Sequence, residues 1–182
     1  GLRQGITTEF LGIDGMSYAP LSNDNFRIYR RWLKGLLGEP PEDLDMSTVE
    51  AFRANYHEKV SINTVYMVPN GTVRLEAVGF RDVPLTGDGM ARYKDLVRES
   101  MEQGAVGFTT GSSYYPGPWT STDELVELCV ANLGDQVQGK TFAVRCKRVG
   151  THPFSSQDVG IKVGSALNRR CGAAGWSTAV HR

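Results

Sequence analysis

Cysteine and histidine are scarce in this chain, with three of each among 182 residues. Cys129, Cys146 and Cys171 form an odd set with no Cys-x-x-Cys pair, which excludes both a disulfide framework and a zinc knuckle. A reducing cytoplasm is therefore the expected compartment. No apolar run approaches the ~18 residues of a membrane span, and the first residues lack the apolar core of a signal peptide. No membrane partner is expected. Net charge is missing too, because Lys+Arg 20 balance Asp+Glu 20, and a neutral total removes any overall preference for nucleic acid or anionic surfaces. What is present, 40% hydrophobic and 22% charged residues, excludes disorder and suits one globular domain or two small ones.

The neutral total conceals a split along the chain. Residues 1–137 hold 12 basic and 19 acidic residues, a balance of −7, whereas residues 138–182 hold 8 and 1, a balance of +7. Asymmetry of this kind points to two units with different partners.

The first unit alternates strand and helix. Thr7 to Ile13 is an apolar, β-branched run closed by Asp14-Gly15, the pattern of a buried strand leaving into a loop. Phe26, Tyr29, Leu33 and Leu36 recur at helical spacing over residues 24–37, and Gly38 with Pro40-Pro41 ends that helix. Ser47 with Glu50 three residues on predicts a capping box and a second helix. Val60 to Val68 reads as a second buried strand stopped by Pro69-Asn70-Gly71, and Asp88 to Gln103 as a helix with Gly104 at its end. Ala105 to Thr109 makes a short third strand. The polar loop Thr110 to Thr120 follows, and Ser121 with Glu124 opens another helix by a capping box. Three strand, loop and helix cycles predict an α/β fold with a parallel sheet. Chemistry in such sheets collects at the C-terminal strand ends, which places the loops Asp14 to Ser22, Pro69 to Arg74 and Gly111 to Thr120 on one face.

The second unit begins near Gly139. Phe142, Val144 and Cys146 alternate with Arg145, Lys147 and Arg148 within Thr141 to Val149, a half-buried strand with a basic outer face. Ser155 with Asp158 makes a capping box for a helix through Val159, Val163 and Leu167 that ends on Arg169-Arg170, as the helix dipole prefers. From about residue 172 the sequence has no period and reads as a disordered tail.

Five ordered blocks carry a resemblance over residues 1–131. Gly5-Ile6-Thr7-Thr8, Asp14-Gly15-Met16-Ser17-Tyr18-Ala19-Pro20, Gly71-Thr72-Val73-Arg74, Gly104-Ala105-Val106-Gly107 and Tyr114-Tyr115-Pro116-Gly117 before Thr122-Asp123-Glu124-Leu125 resemble the N-acyl-D-amino-acid deacylase (D-aminoacylase) family of the amidohydrolase superfamily. The resemblance implies a hydrolase with a (β/α)8 TIM barrel, zinc at the C-terminal strand ends, and a metal-activated water that attacks the acyl-amide bond of an N-acyl-D-amino acid. The family's His-x-His strand and its later histidines have no counterpart here, since His57, His152 and His181 match none of them. Asp14 stands where many relatives have a cysteine zinc ligand, so it is either an inherited metal-ligand position or a turn residue after a strand. Asn70 stands where relatives usually have histidine. Tyr114 falls on a family tyrosine with an implied substrate-pocket role, or it packs its loop; Arg74 either pairs with a substrate carboxylate or is a surface or helix-pair arginine. Complete relatives bind zinc. The expectation here is no stably bound zinc and no activity in isolation.

Residues 135 to about 170 resemble a different family. Gly139-Lys140-Thr141-Phe142-Ala143-Val144-Arg145-Cys146-Lys147-Arg148-Val149-Gly150, His152-Pro153-Phe154-Ser155-Ser156 and Asp158-Val159 with Val163-Gly164 are similar to the central part of a THUMP domain, as in the tRNA 4-thiouridine synthetase family. Lys140, Arg145, Lys147, Arg148 and Lys162 offer phosphate contacts, with Phe154 as a stacking group, or they form a solvated basic face. The sulfur-transfer machinery of that family is not recognisable.

Together these features divide the chain into 1–134, a partial barrel segment of about three βα units, and 135–182, a small THUMP-like strand and helix unit. A closed barrel needs about 250 residues, so unpaired sheet edges and self-association are expected. Three functional readings stand: a catalytically incomplete deacylase segment acting on small N-acyl amino acids, a tRNA-binding module, and a chimeric or truncated product without function.

Overall fold

The computed structural model describes residues 1–111, 113–144 and 155–173. The chain divides into two units, Gly1–Thr120 and Ser121–Arg182. Among the described residues no helix is long and apolar enough to cross a membrane.

In the N-terminal unit, β1 (Thr8–Leu11) pairs in parallel with β2 (Asn63–Tyr66), and β3 (Val68–Pro69) pairs in parallel with β4 (Phe108–Thr109). Only Met67 separates β2 from β3, so residues 63–69 serve as a shared middle strand. Its first half bonds β1 and its second half bonds β4, while Met67 N–H donates to the Leu11 carbonyl and Val68 N–H to that of Gly107. Parallel neighbours require long crossovers. Helices α1 (Asn23–Leu37) and α2 (Val49–Ala54) supply the first, and α3 (Asn70–Val78) and α4 (Gly87–Glu102) the second. The fold is thus mixed helix and strand, as the alternation in the sequence predicts.

Spacing explains which faces are buried. Phe26, Tyr29 and Leu33 on α1 face inward, as do Met90, Tyr93, Leu96 and Val97 on α4. Each such side chain contributes about 1.5–3 kcal/mol of burial. Remote side chains satisfy the open helix ends. The Glu76 carboxylate of α3 accepts from Ser22 N–H at 2.9 Å and from Asn25 Nδ2 at 2.8 Å, placing negative charge at the N-terminus of α1. Gln103, at the end of α4, accepts through Oε1 from Val49 N–H and through its carbonyl from Arg53, which ties α2 to α4.

Three expectations need correction. The capping residue of α2 is Thr48, whose hydroxyl accepts from Ala51 N–H at 3.0 Å, rather than Ser47. Ser47 is held by Asp45 Oδ1, which accepts from both its N–H and its hydroxyl and is thereby kept below the usual aspartate pKa. The segment Pro69 to Arg74 is not a loop, because α3 starts at Asn70. Asn70 to Leu75 are buried all round, so the stripe that betrays an amphipathic helix is absent. Finally, β1 is not a buried strand. It pairs with β2 alone, and Phe10, Ile13 and, beside β4, Val106 are 57%, 55% and 60% exposed.

The C-terminal unit contains α5 (Thr122–Leu133) and α6 (Ser156–Ala173). Both expected capping boxes are present. Ser121 Oγ accepts from Glu124 N–H while the Glu124 carboxylate accepts from Ser121 N–H, and Ser155 and Asp158 bond in the same way. Leu128 of α5 and Ala166 and Leu167 of α6 are buried. Between the helices, Phe142 and Val144 are half-buried while Thr141 and Ala143 are exposed, the alternation of the predicted basic strand. Residues 145–149 of that strand and 174–182 of the expected tail lie outside the described residues, whereas Gly172 and Ala173 complete α6.

Contrasting burial gives a direct check on this packing. Phe26→Ala should lower unfolding free energy by about 3–5 kcal/mol, while Phe10→Ala on the open face of β1 should change it by less than about 1 kcal/mol. Urea midpoints of the two variants measure the difference, and equal losses would contradict the open face.

Candidate functional site

The C-terminal ends of the strands are brought together by backbone contact. Gly15 follows β1, Gly71 sits in the first turn of α3, and Gly111 and Gly117 lie in the loop after β4. A Cβ at Gly15 would stand 2.8 Å from Gly111 N, one at Gly71 2.8 Å from the Gly15 carbonyl oxygen, one at Gly111 2.3 Å from that of Asp14, and one at Gly117 2.5 Å from that of Gly111. Real Cβ contacts do not reach such distances, so the three segments meet only because these residues lack side chains.

A buried polar network lies beside this glycine contact. Asn70 is completely buried; its Nδ2 donates to Thr110 Oγ1 and Thr120 Oγ1 at 3.0 Å each, and its Oδ1 accepts from Tyr93 Oη–H at 2.7 Å. Thr72 Oγ1 accepts from Ser17 N–H at 3.0 Å and donates to the Ser17 carbonyl at 2.8 Å. Tyr29 donates to the Tyr115 carbonyl at 3.3 Å, and Tyr66 to that of Ala19. Burial pushes the phenols of Tyr29 and Tyr66 well above the ordinary tyrosine value, so both are neutral donors at physiological pH. The network fixes loops rather than presenting a reactive group.

The structure locates the sequence-derived candidates individually. Asp14 is exposed, with a left-handed backbone at φ 56° and ψ 22° in a short turn over Ile13–Gly15, a conformation that aspartate tolerates. Among the described residues, no group of three or more His, Cys, Asp or Glu side chains could hold a metal ion. Catalytic zinc takes three protein ligands, so the described donor set does not fit it. Arg74 is completely buried and its guanidinium donates to the Val83 carbonyl, so it is not a surface arginine. Tyr114 is half-buried in the loop after β4, where its carbonyl accepts from Gly117 N–H at 3.0 Å. His57 is solvent-exposed beside Glu58, and burial raises the Cys129 thiol, the opposite of an activated nucleophile. Of the basic set, Lys140 is exposed and Lys162 contacts Asp123, while Arg145, Lys147, Arg148 and Phe154 lie outside the described residues.

Sequence reasoning missed most of the polar network. Tyr93 lies within the predicted helix Asp88 to Gln103, and only its hydroxyl bond to Asn70 shows its place in the network. Thr110 and Thr120 bound the predicted loop, and nothing in their spacing marks them as partners of Asn70.

Comparison with known proteins supports both resemblances. Residues 120–181 match the model of the THUMP domain family. A tRNA sulfurtransferase of Pseudomonas aeruginosa (strain LESB58) is 44% identical over 88 residues, covering 48% of this chain and 18% of that protein. A D-aminoacylase of Alcaligenes xylosoxydans xylosoxydans is 26% identical over 180 residues, covering 92% of this chain and 33% of that protein. The N-acyl-D-glutamate deacylase of Bordetella bronchiseptica, solved with zinc and a phosphonate mimic of the tetrahedral intermediate, superposes with a TM-score of 0.61 at 24% identity over 97% of this chain and 34% of that one. The chain therefore spans about a third of the deacylases and under a fifth of the sulfurtransferase. Shares of 92% and 48% cannot be disjoint, so the two alignments overlap along the chain.

Two measurements follow from this geometry. Asn70→Ala leaves the Tyr93 and threonine hydroxyls without their shared partner and should cost about 1–3 kcal/mol in urea unfolding. The buried tyrosines set an alkaline limit. Their folded pKa lies above the ordinary value of 10.0, so their stabilisation is complete below pH 10 and falls as pH rises toward the folded value. Urea midpoints should decline above about pH 10, and less steeply in Tyr66→Phe.

Proposed function

We propose that the chain binds RNA of the tRNA class through its C-terminal unit, in the cytoplasm. The observation that carries this reading is the THUMP match over residues 120–181, which falls on the part of the sequence where the charge turns to +7. Lys140, Arg145, Lys147, Arg148 and Lys162 are the phosphate contacts of the proposal, and Phe154 is its stacking group. Cationic side chains along a strand and helix recognise the sugar-phosphate backbone. An aromatic ring adds affinity for an unpaired base without demanding a sequence.

The N-terminal unit carries a second reading, favoured by the fold likeness to the deacylases. We read it as about three βα units of a (β/α)8 barrel, in which the glycine contact and the Asn70 network form part of the rim where relatives do their chemistry. Asp14 is then an inherited ligand position and Tyr114 a wall of the substrate pocket. Asn70, neutral and fully engaged, offers no proton-transfer group. On this reading the segment is a catalytically incomplete deacylase relative, and the whole chain joins two family parts in one product.

Two assays separate these readings. Mobility shifts with bulk tRNA should show binding that weakens as salt rises from about 50 to about 200 mM. Combining Arg145→Ala, Lys147→Ala and Arg148→Ala should reduce that binding at least about tenfold without lowering the melting temperature. Absence of binding by the parent chain at low salt would refute the RNA reading. For the N-terminal unit, purified chain should release no D-amino acid from N-acyl-D-amino acids when zinc is added, and release with about one zinc per chain would contradict incompleteness.

A further inference from the structure

The C-terminal unit sets an acid-bearing helix beside a basic one. Lys162 Nζ lies 2.5 Å from Asp123 Oδ1, and Arg170 Nη2 lies 3.6 Å from Asp135 Oδ1. Asp123 is in the first turn of α5 and Asp135 follows its end, while Lys162 and Arg170 occupy the second and last turns of α6. The two helices therefore run in the same direction, with an ion pair near each end. Lys162, Arg169 and Arg170 are seven and eight residues apart, so they share one exposed face of α6 over about 10–12 Å of its axis. A phosphate chain approaching that face finds two of its three cations already in contact with carboxylates.

These pairs are poor stabilisers. The side chains of Asp123 and Asp135 are 84% and 81% exposed, and ion pairs this open to water contribute little to folding. Their electrostatic effect on a ligand is another matter, because each carboxylate cancels a cation at the distance where a phosphate would sit. We propose that Asp123 and Asp135 are counter-charges that restrain RNA binding by α6, so that Lys162, Arg169 and Arg170 form a phosphate-binding face whose affinity is set by the neighbouring helix. The inference rests on the RNA-binding reading and adds its regulation. An RNA backbone must displace the two carboxylates, exchanging Asp–Lys and Asp–Arg contacts for phosphate contacts. Asp158 takes no part in this exchange, since it is committed to the Ser155 cap.

The test compares the full chain with its Asp123→Asn, Asp135→Asn double variant, using bulk tRNA at about 50 and about 200 mM salt. The variant should bind about 3- to 10-fold more tightly at the lower salt, with the gain shrinking at the higher one. The slope of log affinity against log salt should steepen by up to about 0.7–0.9 for each cation released to phosphate. Adding Lys162→Gln and Arg170→Gln to the double variant should abolish the gain. Binding by the parent chain with no tighter binding by the variant would overturn the counter-charge proposal and leave the RNA reading standing. No binding by either protein at low salt would overturn both. Asp135→Asn alone, which leaves the first turn of α5 intact, provides the same comparison if the double variant proves unstable, with a smaller gain expected and equal affinity counting against the proposal.

Discussion

Close backbone approach at Gly15, Gly71, Gly111 and Gly117 is the constraint on which the N-terminal unit depends. Any side chain at Gly111 would collide with the Asp14 carbonyl, and one at Gly71 with that of Gly15, so the segment after β1, the start of α3 and the loop after β4 are drawn together only while these positions stay bare. Asn70 can reach Thr110, Thr120 and Tyr93 at once because of that proximity. The parallel pairing of residues 63–69 with β1 on one side and β4 on the other delivers all three segments to the same end. Loop geometry at this end is thus fixed by backbone contact and by hydrogen bonds between neutral groups.

The elements that the sequence announces most plainly are those governed by local rules. The stripe Phe26, Tyr29 and Leu33 predicts α1, and Ser121 with Glu124 predicts the start of α5, because periodicity and capping act within a few residues. Elements decided by tertiary surroundings are harder to read. Residues 70–75 form a helix buried on every side, which erases the amphipathic contrast, and Asp45 takes the Ser47 hydroxyl so that the cap of α2 passes to Thr48. The exposure of β1 was equally hidden, since an apolar β-branched run looks alike whether or not anything covers it. At the site, the sequence blocks around Gly15, Gly71 and Gly117 mark the segments that meet there, although the one around Gly71 is the first turn of α3 and not a loop. The purpose of those glycines, and the bond of Tyr93 to Asn70, emerge only in three dimensions.

A neutral total charge describes neither part of this chain. Acidic residues dominate through α5 and basic ones from residue 138 onward, yet the structure brings the two populations into contact at Asp123–Lys162 and Asp135–Arg170 within one unit. Both pairs lie within residues 120–181, which match the THUMP family model. Their charges partly neutralise each other where α5 meets α6.

The central claim is that RNA meets this protein on its C-terminal unit. Ultraviolet cross-linking of the full chain to tRNA, followed by mass spectrometry of the attached peptides, tests it most directly. Cross-links confined to residues 138–182, including peptides from α6, are the predicted result. Cross-links concentrated in Gly1–Thr120, or none at low salt, would contradict it.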